Sequence, residues 1–195
     1  MKSKRLIIAV KTALLIFLIS ANFVCAQNVD AVFAKFSEVK TVESDFIMKK
    51  YVSISETPFE SYGKFYFKSP AFLKWEYVKP FSYGFTLDKG KMESWQNKDG
   101  KIETKDVSSQ TFAKAMSMQL YAFISMDREV ISKTYDIEFF DEGIVLYPKN
   151  KKENQLIENI KIFFSKTIPA AQKTIILNKN GDRTEIAFIN TKVGI

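Results

Sequence analysis

The sequence contains no histidine and only one cysteine among its 195 residues. Histidine is the commonest general base and a common metal ligand, so its absence excludes serine–histidine–acid catalysis, cysteine–histidine catalysis and histidine-ligated zinc. The one cysteine, Cys25, lies near the N-terminus, in a segment that we expect to be removed. The remaining chain then has no disulfide, thiol nucleophile or thiolate ligand. These absences leave an enzyme possible only through carboxylate, lysine, serine or tyrosine side chains, and we expect no enzyme activity, no cofactor and no metal site.

The first 26 residues have the three-part pattern of a cleavable signal peptide. A basic start (Lys2, Lys4, Arg5) precedes an apolar run at 13–20, and Val24-Cys25-Ala26 suits signal peptidase. We therefore expect cleavage before Gln27, export to the periplasm, and a single domain over 27–195.

Two alternatives for this segment are an uncleaved membrane anchor and lipidation at Cys25. Lys11 interrupts the apolar run and leaves it short of the roughly 20 residues that a membrane helix needs. Lipidation requires a small residue before the cysteine and an aliphatic one three positions before it, where this chain has Val24 and Asn22. Both alternatives fit less well than cleavage.

The balance of charge changes when the leader is removed. Four of the 29 basic residues and none of the 22 acidic ones lie in the leader, so the net charge falls from +7 to +3. No dense tract of lysine and arginine accompanies this small surplus, and we expect no nucleic-acid partner. The rest of the chain is long enough for one domain with a real core.

Hydrophobic periodicity predicts a helix followed by many strands. Val29, Val32, Phe33, Phe36 and Val39 recur at helical spacing. The period then changes to two, which predicts strands at 43–54, 64–68, 72–77, 83–87, 92–96, 101–105, 135–140, 143–147, 158–165, 170–177 and 184–190. A second helix, capped by Ser108 or Ser109, is predicted midway, with 112, 116, 120, 123 and 124 on one face.

This pattern predicts a mainly β (α+β) fold, a long antiparallel meander of roughly ten to eleven strands that must curl. Phenylalanine alone supplies 18 residues, and large side chains alternate with charged ones, so one face of the sheet is apolar and the other is wet. The apolar face could be an ordinary filled core. Alternatively, the two helices cover a sheet too broad to fill its own interior, which leaves an apolar cavity.

A set of residues in fixed order resembles the LolA family of periplasmic lipoprotein carriers. The run from Glu60 to Pro70, with a glycine, an alternating aromatic strand and a proline, is followed by Leu73-Lys74-Trp75-Glu76-Tyr77 and Lys79-Pro80. The turn Asp88-Lys89-Gly90 comes next, and a final hairpin begins at Gly181-Asp182-Arg183-Thr184. The resemblance extends over essentially all of the chain after the leader.

The resemblance implies an incomplete β-barrel closed by a helical lid, with a cavity that shelters lipoprotein acyl chains. The expected cavity residues are Phe65, Phe67, Leu73, Trp75, Tyr77, Phe85 and Leu87, and the expected lid residues are Phe33, Phe36, Phe112, Met116, Leu120 and Phe123. The implied partners are acylated lipoproteins, an inner-membrane lipoprotein-releasing transporter and an outer-membrane acceptor, and the carrier is expected to act as a monomer.

One position departs from the family pattern. The best-known carriers have a basic residue immediately before the first proline, thought to latch the lid, where this chain has Ser69. A different latch or a different ligand would account for it, so a LolA-like carrier of another acylated or polyene lipid stays open. A structural module of an envelope assembly, with a filled interior, is the other alternative. The acidic group of Asp136, Glu138, Asp141 and Glu142 flanks a predicted turn and is expected to be solvated rather than catalytic.

Overall fold

The computed structural model describes residues 29–109, 123–149 and 156–195, and its main element is one antiparallel sheet. The chain divides into two units, Met1–Val32 and Phe33–Ile195, and the sheet belongs to the second. The elements are α1 (Val29–Ser37), β1 (Thr41–Tyr51), β2 (Phe59–Lys68), β3 (Phe72–Lys79), β4 (Tyr83–Asp88), β5 (Lys91–Lys98), β6 (Lys101–Asp106), α2 (Arg128–Thr134), β7 (Tyr135–Phe140), β8 (Gly143–Pro148), β9 (Ile157–Phe164), β10 (Ala171–Asn178) and β11 (Arg183–Gly194).

The sheet consists of two meanders joined in the middle. Its strand order is β6-β5-β4-β3-β2-β1-β11-β10-β9-β8-β7, so the first and last strands of the chain are neighbours. The pairing of β1 with β11 runs from Thr41–Gly194 to Tyr51–Arg183. The sheet is not closed, because β6 and β7 each pair with a single strand among the residues that the structure describes. The predicted mainly β, incomplete-barrel fold is confirmed.

Most strands begin and end within a few residues of their predicted bounds, because alternation marks both faces. In β2, for example, the residues at 63, 65 and 67 are buried and those at 64, 66 and 68 are exposed. The first predicted strand was too long. β1 ends at Tyr51, and Ile54 is 92% exposed in the turn that follows. An alternating pattern cannot distinguish the last paired residue of a strand from an apolar residue in the next loop.

The edge strand β6 carries charge on residues that face solvent. Every residue from Lys101 to Asp106 is exposed. Four of these six residues are charged: Lys101, Glu103, Lys105 and Asp106. A charged edge of this kind opposes pairing with the edge strand of another molecule.

The main core lies on the inner face of β1 to β4, where aromatic rings stack. Phe46 of β1 lies 4.3 Å from Trp75 of β3, centroid to centroid, and Phe65 of β2 stacks on the same indole at 5.7 Å. Gly63 makes this possible, because a Cβ at that position would overlap both the Phe46 ring and the carbonyl oxygen of Glu76.

The predicted mid-chain helix is only partly described. Residues 123–125 are helical, whereas Phe112, Met116 and Leu120 lie outside the described residues. A short helix, α2, follows and was not predicted. Asp127 caps it by accepting a hydrogen bond from the backbone N–H of Val130 at 3.1 Å. Within the described ranges, no helix is long and apolar enough to cross a membrane.

Candidate functional site

An apolar cavity of about 360 Å³ lies against the inner face of the sheet. Its wall comes from strands on both sides of the β1–β11 junction and from the helical residues Phe123 and Ile124. The lining residues are Met48, Trp75, Tyr77, Tyr83, Phe85, Phe123, Ile124, Ile157, Ile160, Ala171, Thr174, Ile176, Thr184, Ile186 and Phe188. Because β4 and β9 both contribute, the sheet curves around this space.

Strand alternation selects the residues that face the cavity. Thr174 and Ile176 of β10 and Thr184, Ile186 and Phe188 of β11 are separated by two positions, so they share one face of the sheet. None of the lining residues in the described part of the chain carries a charge, and their polar side-chain groups are the hydroxyls of tyrosine and threonine and the indole N–H of Trp75. A neutral, mostly aliphatic and aromatic wall suits hydrocarbon rather than an ionic ligand.

Two of the hydroxyl groups in the wall belong to tyrosines. The rings of Tyr77 and Tyr83 stack with centroids 4.5 Å apart, and the Tyr77 hydroxyl donates to the thioether sulfur of Met48 at 3.7 Å. Burial, together with the neighbouring Tyr83, raises the pKa of Tyr77 to about 12. Burial also raises the pKa of Tyr83 above its ordinary value. Both hydroxyls therefore stay neutral at physiological pH.

The structure places four of the predicted cavity and lid residues in the wall: Trp75, Tyr77, Phe85 and Phe123. The other predicted cavity residues, Phe65, Phe67, Leu73 and Leu87, lie on the same inner face but not in the wall. Leu73 is 0% exposed and pairs with Phe67 and Leu87 on the neighbouring strands. Phe65 lies behind the wall, between Trp75 and Phe188.

The helix α1 packs away from the cavity. Phe33 contacts Phe139 of β7 edge to face at 6.2 Å, and Phe36 contacts Phe164 of β9 at 5.1 Å. Both phenylalanines are buried, yet neither lines the cavity. Ser69 is also absent from the wall. It is exposed, and its backbone N–H donates to the Lys40 carbonyl at 2.8 Å.

The cavity residues predicted from the sequence did not include those of the C-terminal strands. Ile160, Thr174, Ile176, Ile186 and Phe188 all come from strands that were correctly located. Their alternation was visible, but nothing in the sequence shows that β11 pairs with β1 and brings this half opposite β3 and β4. No group of three or more acidic, histidine or cysteine side chains in the described residues could hold a metal ion.

A family model described as "Outer membrane lipoprotein carrier protein LolA" matches residues 37–194, which include every strand of the sheet. The chain belongs to the LolA family. Members of this family are carrier proteins rather than enzymes. A comparison with curated protein sequences finds no significant match.

Comparison with solved structures gives matches at low sequence identity. A MucB crystal structure superposes with a TM-score of 0.53 at 10% identity, covering 88% of this chain and 60% of MucB. The Pseudomonas aeruginosa MucA/MucB complex gives 0.48 at 13% identity, covering 85% of this chain and 56% of that one. A LolA superfamily protein, NE2245 from Nitrosomonas europaea, gives 0.43 at 9% identity, covering 87% and 95%. This LolA family chain thus spans little more than half the length of the MucB structures.

Proposed function

We propose that this LolA family protein is a periplasmic carrier that shelters the acyl chains of lipoproteins between the inner and the outer membrane. The observation that supports the proposal is the uncharged cavity of about 360 Å³ on the inner face of the sheet. The carrier accepts its cargo from a lipoprotein-releasing transporter and passes it to an outer-membrane acceptor. No bond is made or broken in such a transfer, which agrees with a sequence that has no histidine.

The volume limits how much of the cargo is held. A cavity of about 360 Å³ is at the small end of ligand sites, which span about 300–1,000 Å³. Each buried methylene contributes about 0.8 kcal/mol, so one ordinary acyl chain supplies on the order of 12 kcal/mol. Two or three fully buried chains would exceed the limit of non-covalent affinity, near 18 to 21 kcal/mol, and could not be released. We infer that chains are buried incompletely, or that the cavity widens to admit more than one.

Native mass spectrometry of the protein purified from its own periplasm provides the first test. We expect a fraction that carries an acylated peptide or protein. If the protein carries a different acylated or polyene lipid, the proposed cargo is wrong and the protein carries that lipid instead. If the protein carries no lipid, the result supports a structural module.

A cavity-filling variant provides a second test that does not depend on the native cargo. Ile176→Trp adds a bulky ring inside the cavity, whereas Val78→Trp adds the same ring on an exposed position of β3. A hydrophobic dye should bind wild type and Val78→Trp alike and bind Ile176→Trp several-fold more weakly. An acylated peptide should displace the dye, and the same peptide without its chain should not. Equal displacement by both peptides would contradict the proposal.

A further inference from the structure

A second groove, of about 840 Å³, lies beside the cavity where β10 and β11 separate. The pairing of these strands runs from Leu177–Arg183 only as far as Lys173–Ala187. β10 begins two residues earlier, at Ala171, and β11 continues to Gly194 along β1. Beyond Ala187, β11 therefore pairs, within the described part of the chain, with β1 alone.

Irregular pairing on both sides explains why the strands diverge. The β9–β10 pairing shifts between Ala171 and Lys173, next to the end of the β10–β11 ladder. The β1–β11 pairing shifts between Glu43 and Asp45, opposite Asn190, whose φ is 56°. The Asn190 side chain donates to the Asp45 carboxylate at 2.9 Å, which holds this bulge in place. Bulges bend a strand and increase its twist, and here one lies on each side of the gap.

The groove is lined by residues from both faces of the sheet. Its lining includes five consecutive residues of β11, from Ala187 to Thr191, and neighbouring pairs such as Phe163 and Phe164 of β9. Successive side chains of a strand point to opposite faces, so a groove lined by consecutive residues is open to both. Ala171 and Phe188 line the groove and the cavity alike, which makes the two spaces adjacent.

The two spaces differ in chemistry. Among the described residues, the cavity wall has no charged side chain, whereas the groove includes Glu142, Lys166 and Lys173 and several hydroxyl and amide side chains. An apolar chamber next to an amphipathic groove matches a ligand with a hydrocarbon tail and a polar head. The part of β11 beyond Ala187 also offers a strand edge, to which an extended peptide can add through main-chain hydrogen bonds.

We propose that the gap between β10 and β11 is a portal in which the N-terminal peptide of an acylated lipoprotein lies, with its acyl chain passing between Ala171 and Phe188 into the cavity. This inference rests on the proposed carrier function and adds to it a location for the polar part of the cargo. A peptide is favoured over a lipid headgroup because the open edge of β11 presents backbone N–H and C=O groups. A peptide can pair with them as an added strand, whereas a headgroup has no backbone with which to do so.

Site-specific photo-crosslinking of the exported protein tests the portal. p-Benzoylphenylalanine replaces Ile189, which lines the groove and not the cavity and is 41% exposed, or Tyr83, an aromatic residue that lines the cavity and not the groove and is 43% exposed. Val78, exposed on β3, is the matched outside control. The probe is a short peptide whose N-terminal cysteine carries one palmitoyl chain. We expect the Ile189 position to crosslink to the peptide, the Tyr83 position to the acyl chain, and the Val78 position to neither.

The outcomes separate the portal from the carrier function. Crosslinking from the Tyr83 position without any from Ile189 would overturn the portal and leave the carrier function standing. Crosslinking from neither would overturn both. The palmitoylated peptide should label the Ile189 position several-fold more than the same peptide without its chain. Equal labelling of this position by single-chain palmitoyl lysophosphatidylcholine would overturn the assignment to a peptide. Circular dichroism confirms that each labelled protein is folded.

Discussion

Gly63 is a packing requirement of the aromatic core. It pairs with Phe46 on β1, and a Cβ there would overlap the Phe46 ring and the Glu76 carbonyl oxygen. Replacing a strand glycine by alanine ordinarily favours folding by a few tenths of a kcal/mol to about 1 kcal/mol. Here the overlap with backbone outweighs that gain, and we expect Gly63→Ala to lower the free energy of unfolding by about 1–3 kcal/mol in urea titrations.

Gly194 provides the control for this substitution. Its neighbour is the hydroxyl of Thr41, a side-chain atom that can rotate away, rather than backbone or a stacked ring. Gly194→Ala should therefore change stability much less than Gly63→Ala. A similar decrease in the free energy of unfolding for both variants would contradict the packing argument.

Tyr77 makes the stability depend on pH in the alkaline range. Its pKa is raised to about 12 in the folded state, from an ordinary value of 10. Between these values the unfolded state releases the proton and the folded state keeps it, so stability falls as pH rises. A fully titrating group contributes a slope of up to about 1.4 kcal/mol per pH unit.

Tyr77→Phe keeps the ring and removes this ionisation. We expect its free energy of unfolding to fall less steeply than that of wild type between pH 10 and 12. Urea unfolding at a series of pH values measures the difference between the two proteins, in which other titrating groups largely cancel. Parallel curves would mean that Tyr77 does not ionise differently in the two states.

The helix α2 depends on its cap more than on its surface ion pair. Asp127 accepts from the Val130 N–H, whereas Glu129 and Lys133 form a 2.6 Å pair with both side chains exposed. Loss of a cap costs about 0.5–2 kcal/mol, and an exposed pair contributes about 0.3–0.5 kcal/mol. Asp127→Ala should therefore destabilise more than Glu129→Gln in chemical denaturation, and Asp127→Asn should retain most of the capping. An equal loss in Asp127→Ala and Glu129→Gln would contradict this ranking.

Cargo binding should be visible in the stability of the folded domain as a whole. A ligand present at a hundred times its dissociation constant stabilises the state that binds it by about 2.7 kcal/mol. For a domain of this size each kcal/mol raises Tm by roughly 2–4 °C, so a palmitoylated peptide should raise Tm by about 5–10 °C. Differential scanning fluorimetry of delipidated protein measures the shift. Ile176→Trp should show a smaller shift, and an equal shift with unacylated peptide would contradict acyl binding.

The strands were predictable because a sheet with one wet face repeats a two-residue pattern along each strand. β7, for example, begins and ends at the predicted residues, Tyr135 and Phe140. Helix α2 was missed because its seven residues are too few for a clear helical period, although Asp127 and the Glu129–Lys133 spacing were visible signals. Leu73 shows how far the sequence pattern can predict the residues of the site. Alternation placed it on the inner face, but the same pattern fits a packed core and a cavity wall.

The sequence by itself determined the strands, their apolar faces and the family, because these depend on local spacing and on residues in fixed order. It also excluded histidine-based chemistry, because the chain has no histidine. Only the tertiary structure decided which inward residues surround empty space, because that depends on the pairing of β1 with β11 across the whole chain. The pairing brings Ile176 and Phe188 into one wall with Trp75 and Tyr77, while Leu73, on the same strand as Trp75, is enclosed by its neighbours. The cavity depends on the long-range pairing register of β1 with β11, which no local sequence pattern encodes.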